Sequence, residues 1–259
     1  MGDVIRIGVS GALGRMGQVL ETLTADRADM ALAARIDRPG AEDAAHALAL
    51  TTPAEALGLC DVIIDFSTAA ASTELATLAG AVGGPAIVIG ATGFTAEQEA
   101  EIAAAAAKIA IVKSGNFSLG VNLLALLVEE AARRLGPEAW DVEILEAHHR
   151  RKVDAPSGTA VLLGRAAARG RGEGPETARA PEHSGPSGAR PQGSVGYASI
   201  RGGGIVGEHS VIFAAEDEII TLSHSARDRS LFARGALAAA AWVVTAPPGL
   251  YGMRDVLGV

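Results

Sequence analysis

Read for the alternation of apolar and polar positions, the first half of the chain breaks into short apolar runs separated by alanine-rich stretches. Val4–Val9, Val62–Phe66, Ala86–Ile89 and Ile109–Val112 are brief, continuous and rich in β-branched residues, and Ala31–Ile36 is the expected second strand. That is the pattern of strands buried on both faces of a parallel sheet. Helices are expected over 15–25, 68–82 and 95–108. The third opens on Thr95-Ala-Glu-Gln98, a capping box in which each end of the motif satisfies the other's backbone donor. Strand and helix alternating in this way predict a doubly wound α/β domain.

The pattern changes after residue 117. A helix over 119–135 ends near Gly136-Pro137, Val142–Leu145 reads as a strand, and Ser157–Arg169 reads as a helix. Residues 170–194 are rich in Gly, Pro, Arg and Glu and almost without apolar positions, so a long exposed loop is expected there. Val195–Arg201 and Val206–Ser223 alternate as strands do, the second interrupted by a hairpin turn at Glu216-Asp217. These strands predict a mixed or antiparallel sheet carrying a helix. A last helix is expected over 228–245, and no internal repeat is visible.

Composition narrows the class of protein. With a formal net charge of -8 the chain lacks the basic face that nucleic acid or an anionic membrane requires, so neither partner is expected. A small anion needs only a local positive pocket and stays possible. The single cysteine, Cys60, excludes an intrachain disulfide and a cysteine metal cluster, which suits the cytoplasm. The N-terminus does not read as a signal peptide, and no apolar run reaches the ~20 residues of a membrane helix.

Candidate chemistry begins at the end of the first strand. Gly11-Ala12-Leu13-Gly14-Arg15-Met16-Gly17 has the spacing G-x-x-G-x-x-G, a relative of the stricter dinucleotide fingerprint. Gly11 permits a tight turn into a helix, Gly14 lets backbone approach a pyrophosphate, and Gly17 allows close helix–sheet packing. Arg15 adds a cation. Asp37 lies 20 residues beyond Gly17, at the end of the expected second strand, where a carboxylate binds the ribose hydroxyls of NAD. Arg38 follows at once and could instead hold a 2′-phosphate, so NADH and NADPH both stay open. Gly90-Ala91-Thr92 and Ser114-Gly115-Asn116-Phe117 follow later strands, at the same sheet edge, and can reach the cofactor through backbone groups. Taken alone, either loop is ordinary turn chemistry.

A second constellation spans residues 146–159, Glu-Ala-His-His-Arg-Arg-Lys-Val-Asp-Ala-Pro-Ser-Gly-Thr. Arg150, Arg151 and Lys152 could form a solvated charge run, and His148-His149 a pair of strand-end polar residues. A metal site is poorly supported, because adjacent strand residues face opposite ways and no metalloenzyme spacing surrounds them; none is expected. Cations followed by Ser157-Gly158-Thr159 at a helix start describe a carboxylate trap, and a histidine beside it can exchange protons near neutrality.

The string 146–159 closely resembles the signature of the dihydrodipicolinate (4-hydroxy-tetrahydrodipicolinate) reductase family. The resemblance extends, in the family's order, through Gly11–Gly17, Ile64-Asp-Phe-Ser67, Gly90–Phe94, Asn116–Asn122, Gly207-Glu-His209 and Met253-Arg-Asp-Val256, nearly the whole chain. It implies an oxidoreductase of lysine and diaminopimelate biosynthesis, reducing 4-hydroxy-tetrahydrodipicolinate with NADH or NADPH and with loss of water. The implied fold is a Rossmann-type doubly wound parallel sheet plus a central α+β domain for substrate and tetramerisation. The dinucleotide-binding part would comprise 1–118 and 228–259, the other part 119–227, in a cytoplasmic homotetramer. His148 would be the proton donor and acceptor. Lys152 would be a proton donor that also pairs with a substrate carboxylate, and His149, Gly158 and Thr159 would hold the small dicarboxylate substrate. Gly11–Met16, Asp37, Arg38, Gly90–Thr92 and Ser114–Phe117 would line the cofactor. Arg150 and Arg151 match less constrained positions and contribute a local field. Ala91, where the family often has Thr, and Ser114-Gly115 depart from the common pattern in loops that act through backbone.

Two other readings stand beside this one. Another Rossmann reductase of a small amino or keto acid would share the first half's chemistry. A sensor that binds NAD(H) without turnover would leave the histidine–lysine cluster idle, and no helix-turn-helix accompanies it.

Overall fold

The computed structural model describes residues 4–43, 46–174 and 188–259. The middle of the expected 170–194 loop, 175–187, lies outside the described residues. The chain divides into two units, one running to Leu119 and resuming over Ser230–Val259, the other spanning Gly120–Arg229.

The first unit alternates β1 (Ile5–Ser10), α1 (Arg15–Ala25), β2 (Met30–Ile36), α2 (Pro53–Leu59), β3 (Val62–Asp65), α3 (Ala69–Val82), β4 (Ala86–Ile89), α4 (Ala96–Ala106) and β5 (Ala110–Lys113). The second unit holds α5 (Leu119–Arg134), β6 (Asp141–His148), α6 (Gly158–Gly170), β7 (Val195–Arg201), β8 (Gly207–Ala214) and β9 (Ile219–Ala226). The chain then returns to the first unit with α7 (Ser230–Val243), β10 (Gly249–Tyr251) and α8 (Met253–Leu257).

Three of these elements were not expected: α2, β10 and α8. α2 is only seven residues long, but Thr52 and Glu55 close a complete capping box over Pro53 at its start. β10 gains its strand character from pairing with β5 rather than from its own pattern. β6 runs on to His148, past the expected end at Leu145, because Glu146 and His148 occupy buried positions on its inner face. The Thr95 box at the head of α4 forms with both halves present.

In the first unit all strands are parallel, in the order β10-β5-β4-β3-β1-β2. Both faces of this sheet are covered, as a parallel sheet requires. Ile7, Val9, Val62, Ile64, Val88 and Val112 pack with Leu20 of α1 and Ala236, Leu237 and Ala240 of α7. Ile63, Ile87, Ile89 and Ile111 pack on the opposite face with Leu75 and Ala79 of α3 and Ile102 of α4. Complete burial of each such isoleucine contributes about 1.5–3 kcal/mol. The chain winds from β1 to β2 in one direction and from β3 onward in the other, so the crevice at the carboxyl ends lies beside β1. This is a Rossmann-type sheet.

The second unit carries a mixed sheet, β7-β6-β8-β9, with β6 parallel to β7 and the remaining pairs antiparallel. The expected hairpin is present: Ala215 N–H donates to Glu218 O at 2.9 Å between β8 and β9. Val142, Ile144, Val211 and Phe213 pack beneath Leu124 and Val128 of α5 and Leu163 and Ala167 of α6. Leu145, Ile200 and Ile219 are exposed on the other face. One end of the excursion between α6 and β7 is held by Arg190, which bonds Asp141, Glu143 and the carbonyls of Val142 and Ser194.

Candidate active site

At the carboxyl end of β1 the glycines are dictated by crowding. Gly11 has φ +78, and a Cβ there would lie 3.0 Å from the Phe66 carbonyl oxygen. A Cβ at Gly17 would approach Gly11 O at 2.3 Å and Ala12 Cα at 2.7 Å, so only glycine lets α1 start this close to the strand. The N-cap of α1 is Gly14, with no side chain to cap the first amides, and Arg15 stands exposed beside them. A helix start of this kind receives a phosphate.

Asp37 has a task that its spacing did not reveal. Its carboxylate accepts from Leu13 N–H and from Arg38 N–H, each at 2.9 Å, and so ties the glycine turn to the end of β2. Arg38 is exposed. Two residues before Asp37, Arg35, almost fully buried, bonds Glu21, Asp43 and the Leu48 carbonyl, which holds the segment after β2 in place.

The remaining loops divide into exposed and buried members. Thr92 and Gly115 are exposed, and Leu13, Met16, Gly90, Ser114 and Asn116 half-buried. Ala12, Ala91 and Phe117 are buried, so their side chains face the core. Phe117 packs edge-on against Phe66 at 5.7 Å, and its carbonyl lies where a Cβ on Gly235 would come within 1.7 Å. It anchors its loop. The Ser114 hydroxyl donates to Asn116 O at 2.8 Å, and Asn116 Oδ1 accepts from Ser118 N–H at 2.9 Å, which shapes the turn. The uncapped helix start, the close backbone approach and the acidic end of β2 together fit a nicotinamide dinucleotide.

In the second unit, alternation along β6 puts Glu146 and His148 on the buried inner face. His148 Nδ1 lies 2.5 Å from Glu146 Oε2. Arg201, opposite His148 on β7, grips both oxygens of Glu146, with Nη1 at 2.8 Å from Oε2 and Nη2 at 2.7 Å from Oε1. Ser157 N–H donates to Glu146 Oε1 at 3.2 Å. Ser157 is the N-cap of α6: its hydroxyl accepts from Ala160 N–H at 3.1 Å and lies 2.9 Å from His209 Nε2. His209 pairs with Glu146 across β6 and β8, and its ring meets that of His148 edge-on at 5.0 Å.

The loop between β6 and α6 carries the cations. Lys152 Nζ pairs with Asp154 at 2.9 Å, and Arg201 Nη2 donates to the Asp154 carbonyl at 2.6 Å. His149 is half-buried, whereas Arg150 and Arg151 are exposed. Gly158 opens α6, and a Cβ there would meet no atom within 4 Å, so space lies over the helix start. The structure therefore brings His148, Lys152 and the start of α6 into one cluster.

Burial resists charging Glu146, but the Arg201, Ser199 and His148 bonds outweigh it and pull its carboxyl down to about 2. The group is an anion at neutral pH, so His148 Nδ1–H donates and Nε2 is the open ring nitrogen. A Cβ on Gly207 would lie 3.2 Å from that nitrogen. Burial also lowers the pKa of His148, against the raising influence of Glu146; Lys152 and Arg201 lower it further. His209 is pushed down to about 4, chiefly by burial and then by His148. Glu146, His148 and His209 offer donor atoms within 4.8 Å of one another. As a metal set this is poor, because both Glu146 oxygens already serve Arg201.

Sequence reasoning placed Ser157 in the carboxylate trap but assigned no role to Glu146, Arg201 or His209. The available signal was the i, i+2 spacing of Glu146 and His148, which on a strand means a shared face.

Residues 5–117 match the family described as dihydrodipicolinate reductase, N-terminus, and residues 120–257 its C-terminus. The chain is 53% identical over 258 residues to the 4-hydroxy-tetrahydrodipicolinate reductase of Caulobacter vibrioides, covering 100% of this chain and 99% of that protein. It is 51% identical to the enzyme of the same name from Rhizobium rhizogenes, covering 99% and 98%. Among solved structures it resembles a dipicolinate-bound dihydrodipicolinate reductase from Paenisporosarcina sp. TG-14, with TM-score 0.82, 26% identity, and 97% and 99% of the two chains covered.

Proposed function

The chain belongs to the dihydrodipicolinate reductase family, and we infer from that membership that it reduces 4-hydroxy-tetrahydrodipicolinate in the diaminopimelate route to lysine. It is a nicotinamide-dependent oxidoreductase. The observation that carries the assignment of roles is the cluster of His148, Lys152 and the α6 start around one buried carboxylate.

When bound, NADH or NADPH supplies the hydride. The chain's own part is to hold the dicarboxylate and to move protons. One substrate carboxylate sits at the start of α6, against Gly158 and Thr159, where the helix dipole favours an anion. Lys152 pairs with a substrate carboxylate in place of Asp154 and gives up a proton, and His149 adds a polar contact. His148, with Nδ1 committed to Glu146, exchanges its proton through Nε2, which also serves departure of the 4-hydroxyl as water. The relative solved with dipicolinate bound supports a planar dicarboxylate as ligand.

In the first unit, Gly11, Ala12, Leu13, Gly14, Arg15 and Met16 cradle the pyrophosphate. Asp37 meets the ribose, and Gly90–Thr92 with Ser114–Phe117 border the nicotinamide. Arg38 gives access to NADPH as well as NADH. The exposed apolar face formed by Leu145, Ile200 and Ile219 supports assembly through the second unit into a homotetramer. Among the described residues no helix is long and apolar enough to cross a membrane; a cytoplasmic location belongs to the same proposal.

Replacing His148 or Lys152 by alanine should each lower kcat by about 10²–10⁴-fold, the worth of a positioned acid–base group. Near-normal turnover in both variants would remove these roles while leaving the family intact.

A further inference from the structure

We propose that Glu146, clamped by Arg201, is the positioning residue of the acid–base site: one buried carboxylate sets the His148 ring, the start of α6 and, through Arg201, the loop that carries Lys152. The proposal rests on His148 being the proton-exchanging group.

Glu146 is fully enclosed, and each of its contacts leads to a different part of the machinery. Oε2 takes His148 Nδ1 at 2.5 Å and Arg201 Nη1 at 2.8 Å. Oε1 takes Ser157 N–H at 3.2 Å and Arg201 Nη2 at 2.7 Å. The same Nη2 reaches on to the Asp154 carbonyl at 2.6 Å, two residues from Lys152. A planar guanidinium has the fork needed to hold both carboxylate oxygens, and a lysine in its place could serve only as a point charge.

The geometry has a chemical consequence. A carboxylate that only accepts fixes the proton on His148 Nδ1 and leaves Nε2 as the exchanging atom. A buried ion pair serving stability alone would be indifferent to that choice, and such pairs often contribute little to stability. The groups facing His148 are Glu146 on its own strand, Arg201 on β7, His209 on β8 and Lys152 on the loop. Without the anion, only cations and a neutral ring remain, and the protonated form of His148 loses its support.

The first test is nitrogen NMR of the wild-type protein with labelled histidine, above the pH at which His148 gives up its proton. The Nδ1–H tautomer is expected at His148; a dominant Nε2–H tautomer overturns the proposal without any variant. The second test is Glu146→Gln, with Arg201→Lys beside it and His148→Gln as control. Glu146→Gln should lower kcat about 10–100-fold, leave NADH affinity unchanged, and move the basic limb of the pH profile to lower pH. Arg201→Lys should lower kcat in the same direction. Wild-type kcat and an unmoved limb in Glu146→Gln, with His148→Gln impaired, sink this inference alone. Full turnover in His148→Gln sinks the acid–base reading beneath it.

Discussion

The proposed contact of Arg38 with a 2′-phosphate is the most direct test of whether one side chain sets a preference. It is exposed beside Asp37, whose carboxylate is already bonded to the Leu13 and Arg38 amides. Arg38→Ala should therefore raise KM for NADPH more than for NADH; equal losses would refute contact with the 2′-phosphate. His209 makes a second prediction at this scale. Its folded pKa of about 4 lies below its ordinary 6.5, so the unfolded chain takes up its proton first as pH falls. That contribution to stability is complete above pH 6.5 and is lost on descending toward 4, by up to about 3 kcal/mol. Glu146 extends the trend: its depressed carboxyl stabilises the fold above its ordinary 4.5, and this is lost as pH falls toward 2. Denaturant melts of wild type and His209→Asn between pH 7 and 4 should show the variant's curve flattened; parallel curves would contradict it.

At the scale of elements, α6 joins fold to chemistry. Ser157 caps it, and Gly158 faces open space. Gly158→Ala should leave thermal stability unchanged or slightly raised, since alanine lowers the unfolded chain's entropy. The methyl group would crowd the helix start and raise the substrate KM about tenfold, the loss of one hydrogen bond. A lower Tm with unchanged KM would place the substrate elsewhere. Elements also show how much of the molecule was legible in the sequence. Periodicity and capping placed β1, α1, α3, β4 and α6 to within one residue at each end, and α4 to within two. α2 escaped because seven residues are too few for a helical period, although Thr52 and Glu55 marked its start. β10 escaped because its strand state is conferred by β5. The proposed site residues His148, Lys152 and Gly158 stand in one contiguous string. Arg201 could not, since strand pairing brings it 55 residues back to Glu146.

At the scale of the whole molecule, the proposed cofactor cradle and the proposed acid–base cluster lie on different units. The second unit's exposed sheet face makes the proposed tetramer testable: Leu145→Glu with Ile200→Glu should lower the solution mass relative to wild type, whereas an unchanged mass would argue against an interface on this face. Turnover can be measured directly. Purified protein is mixed with freshly generated 4-hydroxy-tetrahydrodipicolinate and either NADH or NADPH, and loss of the reduced cofactor is followed against formation of tetrahydrodipicolinate. Stoichiometric loss of at least one cofactor, dependent on both substrate and His148, is expected. Binding of cofactor and substrate with no oxidation of either NADH or NADPH would contradict it.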